Sequence, residues 1–260
     1  MEDYNYPDRV ADAGALILLS GGVTAVLGTA ASVTAIGDRR RCTRLHAWAG
    51  ANGWRCVEGQ AGAGDWPRRF RHLRGFAVRR YVAGEVSGLA VVAAECTHLV
   101  RTAAGTGKAD RAHDRRPAAL SVFVIRLPGA WPDIAVTGRE PHARLLERMG
   151  RRQAVVTACR REPHARLVGR RQAVTTGDGE FDGRFRVEAF DPSAAAALLT
   201  APVVAAHLSD EVPLWTLQAG ELVSIEPRPL RPENVLPAAQ RLHRTAVVLG
   251  HPRDDGHPRG

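Results

Sequence analysis

Phe76-Ala77-Val78-Arg79-Arg80-Tyr81-Val82-Ala83-Gly84-Glu85-Val86, then Ser87-Gly88, then Leu89-Ala90-Val91-Val92-Ala93-Ala94-Glu95-Cys96-Thr97-His98-Leu99-Val100 is the stretch that decides the fold. Two long β-rich runs are separated by Ser87-Gly88 alone. That is the signature of a tight β-hairpin, and it makes the sheet antiparallel at its centre. Downstream, the polar segment Arg101 to Pro117 reads as a long loop and Leu120 to Leu127 as a strand stopped by Leu127-Pro128-Gly129. Asp133 to Thr137 reads as a further short strand.

Farther on, Arg184-Phe185-Arg186-Val187-Glu188-Ala189-Phe190 alternates, with Phe185, Val187 and Ala189 on one face, as a half-buried strand does. Asp191-Pro192 supplies an N-cap and a first-turn proline for an Ala-rich helix that Pro202 breaks or restarts. Leu214 to Leu217 and Leu222 to Ile225 flank Ala219-Gly220 as a second hairpin, and Pro232 to Val248 forms a last helix, with an interruption open at Pro237. Upstream, Leu45 to Gly53 reads as a short helix ended by Asn52-Gly53, followed by a strand from Trp54 to Glu58, a Gly-rich loop and the basic stretch Arg68 to Arg74. Strands joined by hairpins with helices interspersed indicate an α+β fold built on a mainly antiparallel sheet.

In front of this domain, Ala13 to Gly37 is 25 consecutive residues without a charge. As a helix they would span ~37 Å, more than the ~30 Å hydrocarbon core of a bilayer. Nine are Leu, Ile or Val and sixteen are small, a modest hydrophobicity for a transmembrane helix. Before the run stand Glu2, Asp3, Asp8 and Asp12 against Arg9; after it stand Arg39, Arg40, Arg41 and Arg44. A secretory signal has its positive charge in front, so the pattern reads as an uncleaved anchor. The positive flank stays in the cytoplasm, which puts the N-terminus outside the plasma membrane and the domain inside. Those four arginines are the candidate membrane-interface residues, at headgroup height. Gly14, Gly21 and Gly28 recur every seven residues and form a stripe through which two anchors would pack into a homo-oligomer.

The domain organisation is therefore a tail (1–12), a transmembrane helix (13–37), a basic juxtamembrane helix (38–53), an α+β domain (54–247) and a disordered tail (248–260). Within the domain lies a tandem duplication over 139–174. Arg139-Glu140-Pro141-His142-Ala143-Arg144-Leu145 recurs 22 positions later as Arg161 to Leu167, and Gly150-Arg151-Arg152-Gln153-Ala154-Val155 recurs as Gly169 to Val174. It reads as a lengthened helical connection. Residues 139–160 carry a net +4 of the chain's +9, and Lys108 is the only lysine among 36 basic residues. Codon choice in a GC-rich genome explains such usage better than selection for phosphate, so no specific nucleic-acid partner is read here.

The segments Trp48-Ala49-Gly50-Ala51-Asn52-Gly53-Trp54, Leu127-Pro128-Gly129-Ala130-Trp131-Pro132 and Gly179-Glu180-Phe181-Asp182-Gly183-Arg184-Phe185-Arg186-Val187 carry a likeness to a known group. In these, the chain resembles membrane-anchored actinobacterial proteins whose activity is not established. The resemblance implies the anchor and the domain and is silent on chemistry; residues 139–160 depart from it.

Candidate chemistry is sparse. Gly105-Thr106-Gly107-Lys108 has the letters of a phosphate loop, but Thr102 and Ala109 stand where Walker geometry needs Gly and Ser or Thr, so it reads as a solvated loop. Cys96 and His98 share a strand face with Val92 and Ala94, opposite Glu95; the pair reads as core rather than as nucleophile and base. His142 and His164, flanked by arginines, read as surface residues. Trp48, Trp54 and Trp66 read as packing residues rather than a stacking platform. Cys42, Cys56, Cys96 and Cys159 show neither zinc spacing nor a disulfide framework. No catalytic, cofactor or metal residues are assigned. The functional reading is a membrane-tethered, non-enzymatic binding domain whose assigned partner is the lipid bilayer; the alternative is a membrane-associated hydrolase whose site converges only in three dimensions.

Overall fold

The computed structural model describes residues 37–71, 73–101, 115–139 and 171–250. The chain divides after Ala47 into two compact units. Residues 37–51 are helical (α1). The larger unit is α+β: a nine-stranded antiparallel sheet with helices against it. Its strands are β1 (Arg55–Glu58), β2 (Ala77–Val86), β3 (Leu89–Arg101), β4 (Arg115–Arg126), β5 (Ile134–Gly138), β6 (Gln172–Val174), β7 (Phe185–Ala189), β8 (Trp215–Gln218) and β9 (Glu221–Glu226). Their order across the sheet is β1-β2-β3-β4-β9-β8-β5-β7-β6. A 3-10 turn, η1 (Trp66–Phe70), and helices α2 (Gly179–Arg184), α3 (Pro192–Leu198), α4 (Ala201–Leu208) and α5 (Pro232–Val248) complete it.

Both expected hairpins form on two-residue turns with a left-handed backbone at each position: Ser87 and Gly88 at φ 48° and 80°, Ala219 and Gly220 at 49° and 75°. Such turns match the right-handed twist of the strands they join. The β2–β3 ladder pairs Val86 with Leu89 and runs to Ala77 opposite Thr97, with a bulge between Val78 and Arg80. Side-chain alternation then sorts the sheet into two faces. One carries Val78, Tyr81, Ala94, Cys96, Leu120, Val122, Val124 and Val223, covered by Trp66, Phe70 and Leu73 from the segment after β1. The Gly-rich loop and basic stretch read there thus include η1, with Trp66 and Phe70 turned inward. On this part of the sheet α5 also packs, contacting β2, β3, β4 and β9 and burying Val235, Ala239, Leu242 and Ala246. At the far end α2 and α3 lie against β7, where Phe185, Val187 and Ala189 are buried while Arg186 is exposed and pairs with Glu188 at 2.7 Å. On β2, β3, β4 and β9 the alternating residues Val82, Ala93, Phe123, Ile125 and Leu222 are buried as well, so this part of the sheet is covered on both faces.

Local signals explain the helices. Asp191 Oδ1 accepts from the backbone N–H of Ser193 and Ala194 at 2.9 and 3.0 Å, capping α3, and α4 restarts with Pro202 in its first turn. Pro237 does not interrupt α5. It sits on the exposed side with Glu233, so the carbonyl that loses its i+4 donor is on the solvent side of the helix.

Several expectations need correction. The first helix spans 37–51, so the short helix read at Leu45 to Gly53 is continuous with the basic segment before it, whose arginines are good helix formers. Strands β3 and β4 extend into the segment read as a loop, to Arg101 and from Arg115, since each residue pairs with the other strand. The second copy of the duplication ends not in a helical connection but in the edge strand β6, held by Gln172–Val174 against β7. The short α2 went unread. The anchor run with Gly14, Gly21 and Gly28, and the first copy of the duplication, lie outside the described residues. Among the described residues, no helix is long and apolar enough to cross a membrane.

Candidate functional site

Helix α1 is amphipathic by charge. Leu45 and Ala49, four residues apart, are buried, and Asp38, Arg41, Cys42 and Trp48 are half-buried. The other side holds Arg39, Arg40, Thr43 and Arg44, all exposed, which together line one shallow open surface. Spacings of three and four place these residues over consecutive turns of one face. The Thr43 hydroxyl donates to the Arg39 carbonyl at 3.1 Å, so it lies against the helix between the guanidinium groups' attachment points. Of the four arginines singled out in the sequence, three are therefore brought together. Arg41 points to the half-buried side and has an interaction of its own. Thr43 was missed by the sequence reading, although its position three residues after Arg40 and four after Arg39 carried the signal.

The helix ends as expected. Gly53 takes φ 72°, the Asn52 amide side chain donates to the Trp48 carbonyl at 2.8 Å, and Trp54 N–H donates to Ala49 O at 2.7 Å. Trp54 then packs its ring, 5.5 Å from Trp48, against Gly84 of β2, where any Cβ would stand 2.3 Å from the Trp54 ring. Trp66 is 1% exposed within the core. Trp54 and Trp66 thus serve packing.

Most buried polar side chains of the domain have structural partners; the Trp66 indole N–H is buried without a hydrogen-bond acceptor among the described residues. Cys96 is fully buried, and burial together with the Glu95 charge pushes its thiol well above the ordinary range, the opposite of what a nucleophile needs. Glu95 faces the other side of the sheet, 3.3 Å from the Arg80 Nε, with both side chains almost wholly buried. His98 is buried and has an interaction of its own. Arg69 bridges Glu221 at 2.6 Å and donates to the Gln218 carbonyl, tying η1 to the β8–β9 hairpin. Asp182 accepts from Thr176 and Gly177 around the turn before α2.

One buried site was not read from sequence. His207 of α4 is 1% exposed, between Phe181, Phe185 and Trp215, and its Nε2 accepts the Trp215 indole N–H at 2.9 Å. Burial lowers its pKa to about 4, the nearby Asp210 charge opposing only in part, so it is a neutral core acceptor at pH 7. The sequence placed these aromatics on separate elements, which is why no local pattern showed them together. The letters of the phosphate loop, His142 and His164 lie outside the described residues.

No protein-family model matches the chain, and no curated protein matches it. Among solved structures, the chain is similar to the crystal structure of the mycobacterial trehalose monomycolate transport factor A, TtfA, at 12% identity and a TM-score of 0.49. That similarity covers 82% of this chain and 96% of that chain.

Proposed function

We propose that this chain is a membrane-tethered, non-enzymatic interaction domain, held at the plasma membrane by residues 13–37 with its N-terminus outside and its α+β domain in the cytoplasm. The observation that carries the reading is the exposed face of Arg39, Arg40 and Arg44, which begins two residues after the 25-residue uncharged run ends. Arginines immediately inside an anchor fix its orientation and lie within reach of anionic headgroups. In the domain, Cys96, Glu95, Arg80 and His207 are engaged in the core rather than converging on an open cleft, which supports a binding role over the hydrolase alternative. Packing of anchors along Gly14, Gly21 and Gly28 would make the tethered form a homo-oligomer.

Cysteine labelling in intact cells tests the topology. An impermeant maleimide should modify an engineered cysteine at Asn5 and leave one at Ala47 untouched until the cells are opened. Labelling at position 47 from outside would overturn the assignment.

A further inference from the structure

We propose that Thr43 is a phosphoacceptor, and that its modification releases the basic face of α1 from anionic phospholipid. This inference rests on the membrane reading above and names how that contact is regulated. Thr43 is exposed, and it shares one surface with Arg39, Arg40 and Arg44. These residues stand four and three positions before it and one after. Arginines three and four positions before a hydroxyl suit a serine/threonine kinase with an acidic substrate groove, by charge complementarity. In the transfer, Thr43 Oγ1 attacks the γ-phosphorus of a nucleoside triphosphate. The new O–P bond replaces the bond to the β-phosphate, the nucleoside diphosphate leaves, and the hydroxyl proton passes to the kinase's base. The hydroxyl must first give up its hydrogen bond to the Arg39 carbonyl, which a rotation about the side chain achieves.

The consequence follows from chemistry shared by two partners. A headgroup phosphate and a phosphothreonine offer guanidinium groups the same acceptor oxygens. A phosphate on Thr43 adds between one and a half and two negative charges amid three exposed arginines, satisfying them internally. At the attraction usual for a basic residue at an anionic surface, losing about two charges weakens docking of the face roughly tenfold to thirtyfold.

The test uses the full-length protein in nanodiscs of phosphatidylcholine, with or without one-third phosphatidylglycerol. A fluorophore sits on Ala47→Cys, an exposed position one turn beyond Thr43, with Cys42, Cys56, Cys96 and Cys159 replaced by Ala and brominated lipid as quencher. The expected result is quenching that depends on the anionic lipid, falls at least severalfold in Thr43→Glu, and is retained in Thr43→Gln. No dependence on anionic lipid in the parent would overturn the membrane reading itself. Dependence that Thr43→Glu leaves unchanged would overturn the switch alone. Phosphopeptide mapping of the unsubstituted protein from growing cells is a second arm that needs no variant. Phosphate on Thr43 is expected, and its absence across growth phases would equally overturn the switch.

Discussion

His207 and Gly84 show how much a single position carries. Neutral His207 accepts from Trp215; once protonated, its Nε2–H would face the indole N–H, donor against donor, inside an aromatic shell. Its folded pKa, about 4, is below the ordinary 6.5, so the unfolded chain binds the proton more readily. Stability from this group is therefore complete above about pH 6.5 and is lost as pH falls toward 4, by up to about 3 kcal/mol. His207→Gln keeps an acceptor for Trp215 without the titration. Denaturant melts from pH 7 to pH 4 should show a smaller loss in the variant than in the parent, and equal losses would sink this account. At Gly84, the Trp54 ring occupies the space of a side chain. Gly84→Ala should cost about 1–3 kcal/mol by overpacking, read as a lower denaturation midpoint at unchanged slope.

Among the elements, α3 depends on its cap more than on its sequence. Pro192–Leu198 is only seven residues, too short to stand alone, and its first turn has two N–H groups held by Asp191. Asp191→Ala should destabilise the domain by about 1 kcal/mol, and Asp191→Asn by less, since Asn also caps well. Thermal melts of the two variants would decide it: equal losses would point to the charge rather than the hydrogen bonds. The cap was legible because it is local, as were the Ser87-Gly88 and Ala219-Gly220 turns. Strand β6 was not legible. Its three residues, Gln172-Ala173-Val174, have too little periodicity to declare themselves, and β7 alone makes them a strand.

For the molecule as a whole, the duplication is the clearest experiment already written into the chain. Strands β5 and β6 flank β7, and residues 139–171 connect them. Because β5 ends opposite Phe185 and β6 begins opposite Ala189, four residues along and two strand spacings across, the two ends to be joined stand roughly 16 Å apart. Deleting residues 139–160 leaves 161–171, eleven residues that can reach about 36 Å, and retains the copy that supplies β6. The shortened chain should unfold in one cooperative step, up to about 1 kcal/mol more stable from the smaller loop. Loss of cooperativity, or a fall of several kcal/mol, would show that the first copy carries structural weight.

Sequence alone determined what local chemistry can specify. The two hairpins, the alternation of Phe185, Val187 and Ala189, the Asp191 cap and the α+β class all follow from neighbours within a few residues, where sterics and hydrogen bonding act directly. The arginine cluster was legible in the same way, as a composition. Which arginines share a surface was not: Arg39, Arg40 and Arg44 lie together while Arg41 turns aside, a division that helical phase and burial make. Tertiary structure alone set Arg80 against Glu95, wrapped His207 in three aromatics from different elements, and placed β4 between β3 and β9. Those pairings join residues up to about a hundred positions apart. They are chosen by which faces must leave water together, and no local pattern records that.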